Sequence, residues 1–594
     1  MTNSESTKKM TRNMTRLRPG RSPYAVSRTA VALGAAGLLA ALLVPLAAAA
    51  DPADAAGPCG PGGAFTSSPP TCTYATAGTD VFTVPAGVSA LTVDLYGAEG
   101  GSAAGFVAPS PPNDGSPGGL GGRTHAVLAV TPGQSIQITR GGVGSSGTSR
   151  HGEYARVGGF GHGSGGGGAH GGGGSGGGAT DLRTGAFGST DRILVAGGGG
   201  GAGNGGPLLH GGNGGGPAGD NGGDGGGPEG SGIGGTGGSR TQAGIGVRTN
   251  PVGAKGGDAS DIDQNTGLPN PGSGGTGGNG GRGGNGGGGG GGGWHGGGGG
   301  SGGGNPGEFY AAGGGGGSGY AAAAEAGVSE AGLFSGVQHG NGKAVVSFRF
   351  ATSTSLVADT STPLFGHSVA LTATVDSANP LAATPGGSVT FSDGTTPLAT
   401  VPLEAGKAVF TTSALRPGLH PISASYTPDA DHTASTTGQP AGITVGFSRP
   451  CITTASHGPL TVASGQSLCI GSGGSQSGPV TVRPGGALAV SDGQITGPVS
   501  ADGALAVSVC GSKVTGPLSV RTTSGSVLIG AGPGSQFSDC AGNTITGPVS
   551  LVGNTGGVEF SADRVTGPLG CEANAPAPHV GDVTVLGPRS GQCL

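Results

Sequence analysis

Wherever this chain leaves its glycine runs, apolar and polar residues alternate with a period of two, the period of strands. In the N-terminal half the pattern covers Val81-Phe82-Thr83-Val84-Pro85-Ala86-Gly87-Val88, Leu91-Thr92-Val93-Asp94-Leu95-Tyr96, Ala126-Val127-Leu128-Ala129-Val130 and Ile136-Gln137-Ile138. The turn pair Asn341-Gly342 then leads into Lys343-Ala344-Val345-Val346-Ser347-Phe348, which supplies a closing strand. Residues 72–350 are therefore expected to form a β-sandwich with glycine-rich insertions, preceded by a linker over 51–71.

The alternation resumes at Thr352. Val369, Leu371, Ala373 and Val375 are spaced by two, Val389 and Phe391 follow Pro385-Gly386-Gly387, and Ile422, Ala424 and Tyr426 follow the turn Arg416-Pro417-Gly418. This spacing predicts a second β-sandwich over 352–446 with no cysteine inside it. Beyond it, Gly-Pro followed by an aliphatic residue recurs at Gly458, Gly478, Gly497, Gly516, Gly547 and Gly567, in steps of 20, 19, 19, 31 and 20 residues. Between these turns lie second aliphatic clusters: Leu488 with Val490, Leu505 with Val507, Val527 with Ile529, and Val558 with Phe560. One turn and two short strands per period predict a small β-solenoid over 450–594, the 31-residue step holding an extra loop that ends near Cys540. The expected class is all-β: a glycine-rich, jelly-roll-like sandwich with polyglycine helices, an Ig-like sandwich and a C-terminal solenoid.

Composition changes the picture in one place. Of 594 residues 145 are glycine, and only 4% are aromatic and 10% charged, so wide conventional cores are excluded. Collagen is excluded too, because the glycines form runs instead of recurring at every third position. Runs such as Gly286 to Gly293 and Gly296 to Gly300 suit either floppy linkers or extended threefold helices of the polyproline type. A linker has no use for Ala179-Thr180-Asp181-Leu182-Arg183, Arg192-Ile193-Leu194-Val195-Ala196 or Ser318-Gly319-Tyr320 set among the glycines. Helices bonded laterally through their backbones accommodate them, and Asn213, Asn221, Asn279 and Asn285 suit that packing.

In the order strand, GGGATDLR, RILVAGGGGG, long glycine core, GGGGGSGY and GNGKAVVSF, residues 80–350 resemble the glycine-rich domain of the anaplastic lymphoma kinase and leukocyte tyrosine kinase receptors. The resemblance implies a jelly-roll-like sandwich around a bundle of glycine helices. The chain has no kinase signature, so the receptor function does not transfer with the fold. Ser388-Val389-Thr390-Phe391-Ser392-Asp393-Gly394 and Ser425-Tyr426-Thr427-Pro428-Asp429 in turn resemble bacterial Ig-like repeats of surface proteins.

The first 50 residues read as an export signal: Lys8, Lys9, Arg12, Arg16, Arg18, Arg21 and Arg28, an apolar run from Ala30 to Leu46, and Ala47-Ala48-Ala49-Ala50. An uncleaved membrane anchor is the rival reading. No later segment is apolar enough to span, so no stable membrane span is expected after cleavage. Without those 50 residues, which carry seven cations and Glu5, the chain has 20 Lys and Arg against 31 Asp and Glu, a net of −11. Such a surface lacks the cation density that nucleic acid requires, so no nucleic-acid partner is expected.

All eight cysteines follow the signal. Their spacing suggests Cys59 with Cys72, Cys451 with Cys469, Cys510 with Cys540 and Cys571 with Cys593, as in an oxidising compartment. Zinc is the weaker alternative, since no C-x-x-C or ordered histidine pair accompanies them.

The remaining motifs are weak. G-x-G-x-x-G recurs because glycine does, and G-x-S-x-G around Ser175 is equally uninformative. Asp261 to Gly267 has alternating oxygen ligands, yet its glycine comes one residue late and Gly272 stands where a calcium loop needs glutamate. Trp294-His295 fits a structural plug better than a sugar-stacking tip. The solenoid acids Asp492, Asp502, Asp539, Glu559, Asp563, Glu572 and Asp582 are scattered, and Lys513 and Arg521 stand isolated, which argues against a β-helix polysaccharide-degrading enzyme. No catalytic, cofactor or metal residue is expected. The reading is a secreted, modular, non-enzymatic extracellular protein with a structural, coat or adhesion role toward a cell-surface or matrix polymer or protein. The alternative is an envelope-associated carbohydrate-binding protein.

Overall fold

The computed structural model describes residues 57–103, 115–147, 158–159, 172–206, 208–224, 232–246, 275–281, 285–303, 311–532 and 539–594. Residues 1–50, read from the sequence as an export signal, and the Asp261 to Gly267 stretch lie outside them. The fold is all-β, as the alternation predicts.

The glycine-rich module is a sandwich of eleven strands: β1 (Ala64–Ser67), β2 (Pro70–Tyr74), β3 (Gly78–Thr83), β4 (Ala90–Tyr96), β5 (Gly121–Ala129), β6 (Ser135–Arg140), β7 (Thr180–Arg183), β8 (Arg192–Ala196), β9 (Tyr320–Ala321), β10 (Val328–Gln338) and β11 (Lys343–Phe348). One sheet runs β1-β2-β11-β4-β5-β10, the other β3-β6-β7-β8-β9. Their inward residues, among them Tyr74, Phe82, Leu91, Val93, Leu95, Ile136, Ile138, Leu182 and Val346, form one buried core. The structure differs from the sequence reading at residues 51–71. From Ala64 onward that stretch is strand, paired through β2 to β11, and Cys72 enters the core. Short, polar β1 carries no alternation that would betray it.

The glycine runs are threefold helices. Along 197–202, the N–H groups of Gly198 and Gly201 donate to Gly292 and Gly289, those of Gly199 and Ala202 to Ala98 and Gly101, and that of Gly200 to Gly212. The carbonyls of Gly197 and Gly200 accept from Gly122 and Gly119, those of Gly198 and Gly201 from Gly317 and Gly314, and those of Gly199 and Ala202 from Gly177 and Gly174. One segment thus bonds to six neighbours with a period of three, which satisfies its backbone without a ladder. The packing is close enough that a Cβ on Gly199 would overlap the Gly119 carbonyl oxygen. Asn213 and Asn221 take part through their side chains, accepting from the N–H of Leu120 at 2.9 Å and of Gly237 at 2.9 Å.

The second module spans Thr352 to Val445 in two antiparallel sheets, and Val369, Leu371, Ala373, Val375, Val389, Phe391, Ile422, Ala424 and Tyr426 all face its core. It is joined to the first by backbone: Phe350 donates to the Asp431 carbonyl at 2.9 Å, Thr433 donates to that of Phe350 at 2.9 Å, and Ala351 donates to that of Gly87 at 2.8 Å.

The third module is a parallel β-solenoid with three faces, of seven, seven and six strands. The sequence reading assigns two strands to each turn, and the structure adds a third. It is the triplet before each Gly-Pro, polar-aliphatic-polar in Gln494–Thr496, Lys513–Thr515 and Thr544–Thr546, whose Ile495, Val514 and Ile545 point inward, and Ser475–Ser477 with Gln476 inward in an earlier turn. A seventh turn closes at Gly587-Pro588, where Arg589 replaces the aliphatic residue. The corner glycines stack: Gly478, Gly497, Gly516 and Gly547 have φ of 124°, 144°, 139° and 147°, and a Cβ on each would meet the carbonyl of the corner glycine one turn back. The extra loop of the 31-residue step falls between Val527–Ile529 and Thr544–Thr546.

Two other corners carry buried side-chain ladders. In one, the Thr523 N–H donates to Asn554 Oδ1, Asn554 Nδ2 donates to Asn574 Oδ1, and Asn574 Nδ2 donates to Gln592 Oε1. In the other, the Ser512 N–H donates to Asn543 Oδ1, and the N–H and Nδ2 of Asn543 both donate to Asp563 Oδ1, at 2.7 and 2.9 Å.

Candidate binding surfaces

The glycine-module motifs assemble into structural clamps. Asp181 and Arg183 are two residues apart on β7 and share a buried face, with side-chain exposures of 0% and 1%. Arg183 Nε and Nη2 donate to the two Asp181 oxygens at 2.8 and 2.9 Å, and Nη1 donates to the Phe187 carbonyl at 3.1 Å. Arg192 opens β8 and donates to the carbonyl oxygens of Gly293 and Trp294, its guanidinium 4.9 Å from the Trp294 ring centroid. Trp294 stacks on Tyr320 at 3.7 Å, with 12° between the planes. Sugar stacking needs an open ring face, and Tyr320 and Arg192 occupy this ring, which ties the glycine bundle to the strand sheet. Ser175 is fully buried and accepts a backbone hydrogen bond from Ser145 at 2.7 Å, so the surrounding G-x-S-x-G is packing.

The cysteines pair as Cys59–Cys72, Cys451–Cys469, Cys510–Cys540 and Cys571–Cys593, with Cα separations of 5.4, 4.7, 4.8 and 5.3 Å. Each closes a local loop, at the start of the sandwich, the solenoid entrance, its long insertion and its last turn.

The solenoid acids do not converge. Asp502 accepts from the Thr522 hydroxyl, Asp539 pairs with Arg416 of the second module, and Asp563 is buried in its ladder. Glu559 is the exception: it lies in register with His579 on adjacent strands, and His579 Nδ1 is 2.7 Å from its Oε2. The 20-residue step between them equals the solenoid period, a signal the sequence already held.

This pair lines a groove of about 300 Å³ between the second and third modules. Phe365, Ala414 and Arg416 form one wall, and Ser508, Leu528, Glu559, Pro576 and His579 form the other. The groove exists because the second module covers only part of one solenoid face. Its core includes the outward Cys469, Ala487, Ala489 and Ala506 of the first rows, where small side chains allow close approach. A Cβ on Gly366 would come within 2.9 Å of that of Ala487. Further along the face the rows change to Ser508, Leu528, Glu559 and His579, and the contact opens. Concave space at a module junction, with apolar walls and a few convergent polar groups, is the usual setting of a small-ligand site. Among the described residues, no cluster of three His, Cys, Asp or Glu could hold a metal, and no helix is long and apolar enough to cross a membrane.

A family model of the bacterial Ig-like domain (group 3) matches residues 356–446, which is the second module. No curated protein matches the chain.

Proposed function

We propose that this is a secreted, non-enzymatic extracellular protein with a structural, coat or adhesion role, in which a rigid arm presents repeated surfaces. The observation that carries the reading is the way the modules join. They are welded by backbone hydrogen bonds at Phe350 and Ala351 and by the packed alanines Ala487, Ala489 and Ala506, with no flexible linker at either joint. A rigid arm holds its contact surfaces at fixed spacing, so many weak contacts to a polymer add without a further ordering cost. The group 3 Ig-like match and the four disulfides support an extracellular setting.

A second reading, an envelope-associated carbohydrate-binding protein, is favoured by the junction groove with its Glu559 and His579 pair. Fractionation of the producing culture with intact-mass measurement tests the first reading. The expected result is a chain beginning near Asp51 and retained at the cell surface. A chain recovered only with its first 50 residues attached, or only inside the cell, would overturn it.

A further inference from the structure

The outer face of the first sandwich sheet carries a row of four residues that the strand register sets side by side. Lys343 of β11 lies opposite Tyr96 of β4, Tyr96 opposite Arg123 of β5, and Arg123 opposite Phe334 of β10. Their neighbours Leu95, Thr124 and Ala344 are fully buried, so the row points away from the core. Cation and aromatic ring alternate along it. Lys343 Nζ is 5.7 Å from the Tyr96 ring centroid, and the Arg123 guanidinium is 5.9 Å from that ring and 5.3 Å from Phe334. In the adjoining row one carboxylate, Asp94, fixes two groups: it accepts from Arg123 Nε at 2.8 Å and lies 2.9 Å from His125 Nδ1. The one carboxylate of β10, Glu330, lies past the row, where the register shifts between Ser329 and Gly332.

Two features need explaining. Phe334 keeps 45% of its surface open in a chain with only 4% aromatic residues. Two permanent cations share this row, and its neighbouring acid Asp94 pairs with one of them, Arg123, although acids outnumber Lys and Arg by 32 to 27 along the chain.

We propose that this row binds an acidic polysaccharide, with Arg123 and Lys343 taking its carboxylates and Phe334 an apolar sugar face. The two cations stand two strands apart, about 10 Å, which suits a polymer with one carboxylate every sugar or two. A polyphosphate requires denser cations to displace its counterions. Asp94 aligns the guanidinium through Nε and Nη2 and leaves Nη1 for the ligand. The proposal rests on the carbohydrate-binding reading and places a site on the first module, apart from the junction groove.

The test is affinity electrophoresis of the full mature chain in gels holding polygalacturonate, its carboxyl-reduced derivative, or single-stranded DNA. Polygalacturonate should retard the protein, the reduced polymer should not, and added salt should weaken the retardation. The double substitution Arg123→Gln with Lys343→Gln should weaken binding about tenfold or more, while Arg123→Lys with Lys343→Arg retains most of it. These residues lie outside the core, and an unchanged melting temperature separates lost binding from lost fold. Equal binding by the glutamine variant, equal retardation by the reduced polymer, or retardation by DNA alone would overturn the row as the site. Binding to neutral glycans that is indifferent to the row would leave the carbohydrate reading standing and this inference fallen. No retardation by any glycan would remove both.

Discussion

Asp563 is where a single residue departs most from its surroundings. The equivalent places in the ladders are asparagines, whose amides both donate and accept. A carboxylate can only accept, and Asp563 Oδ2 is buried with no hydrogen-bond partner among the described residues. Burial raises its pKa from 3.8 to about 7, against the lowering effect of the two hydrogen bonds from Asn543. Between these values the folded chain holds a proton that the unfolded chain releases. Stability is therefore greatest at the acidic end of that window and falls as the pH rises toward 7, by on the order of 2–4 kcal/mol in all. Melting temperatures followed by circular dichroism should drop between about pH 4 and pH 7. Asp563→Asn should flatten that slope, because by ladder register its amide would reach the Ile529 carbonyl, as Asn543 Nδ2 reaches that of Val509. An unchanged slope in the variant would show that another group carries the dependence.

At the scale of the element, the glycine helix is defined by what its residues lack. A Cβ on Gly199 would overlap backbone, which has no rotamer to yield, whereas Ala202 occupies the same helix where its Cβ fits. Gly199→Ala should therefore cost on the order of 3–4 kcal/mol or prevent folding, and Ala202→Gly about 1 kcal/mol. Thermal unfolding of the two variants checks the contrast, and equal losses would mean that the bundle tolerates side chains. This logic was legible in the sequence, because apolar residues interrupt the glycine at fixed places. The corners of the solenoid were legible too, through Gly-Pro. Its third strand was not, since a triplet such as Gln494-Ile495-Thr496 carries one apolar residue and a period cannot be read from one. The last turn escaped because Arg589, half-buried and in register with the inward Leu569, breaks the Gly-Pro-aliphatic pattern that marks the other turns. The cation-aromatic row was also out of reach: Tyr96, Arg123, Phe334 and Lys343 follow no shared spacing, and only sheet register collects them.

For the whole molecule, the decisive physical fact is that module two and the solenoid share one core. Outward alanines on a solenoid face are a poor choice for solvent and a good one for a docked sandwich, since they remove little entropy and admit close backbone approach. If that shared core makes the arm rigid, the two modules should unfold together. Calorimetry of the protein should then show Ala489→Glu separating the module-two and solenoid transitions, because a buried charge with no partner costs several kcal/mol at the joint. Ser500→Glu, on an exposed solenoid face, is the matched control and should leave the profile unchanged. Separate transitions already present in the unsubstituted chain would mean that the interface transmits no stability. The arm would then be a string of independent modules, and its surfaces would lose the fixed spacing on which the adhesion reading depends.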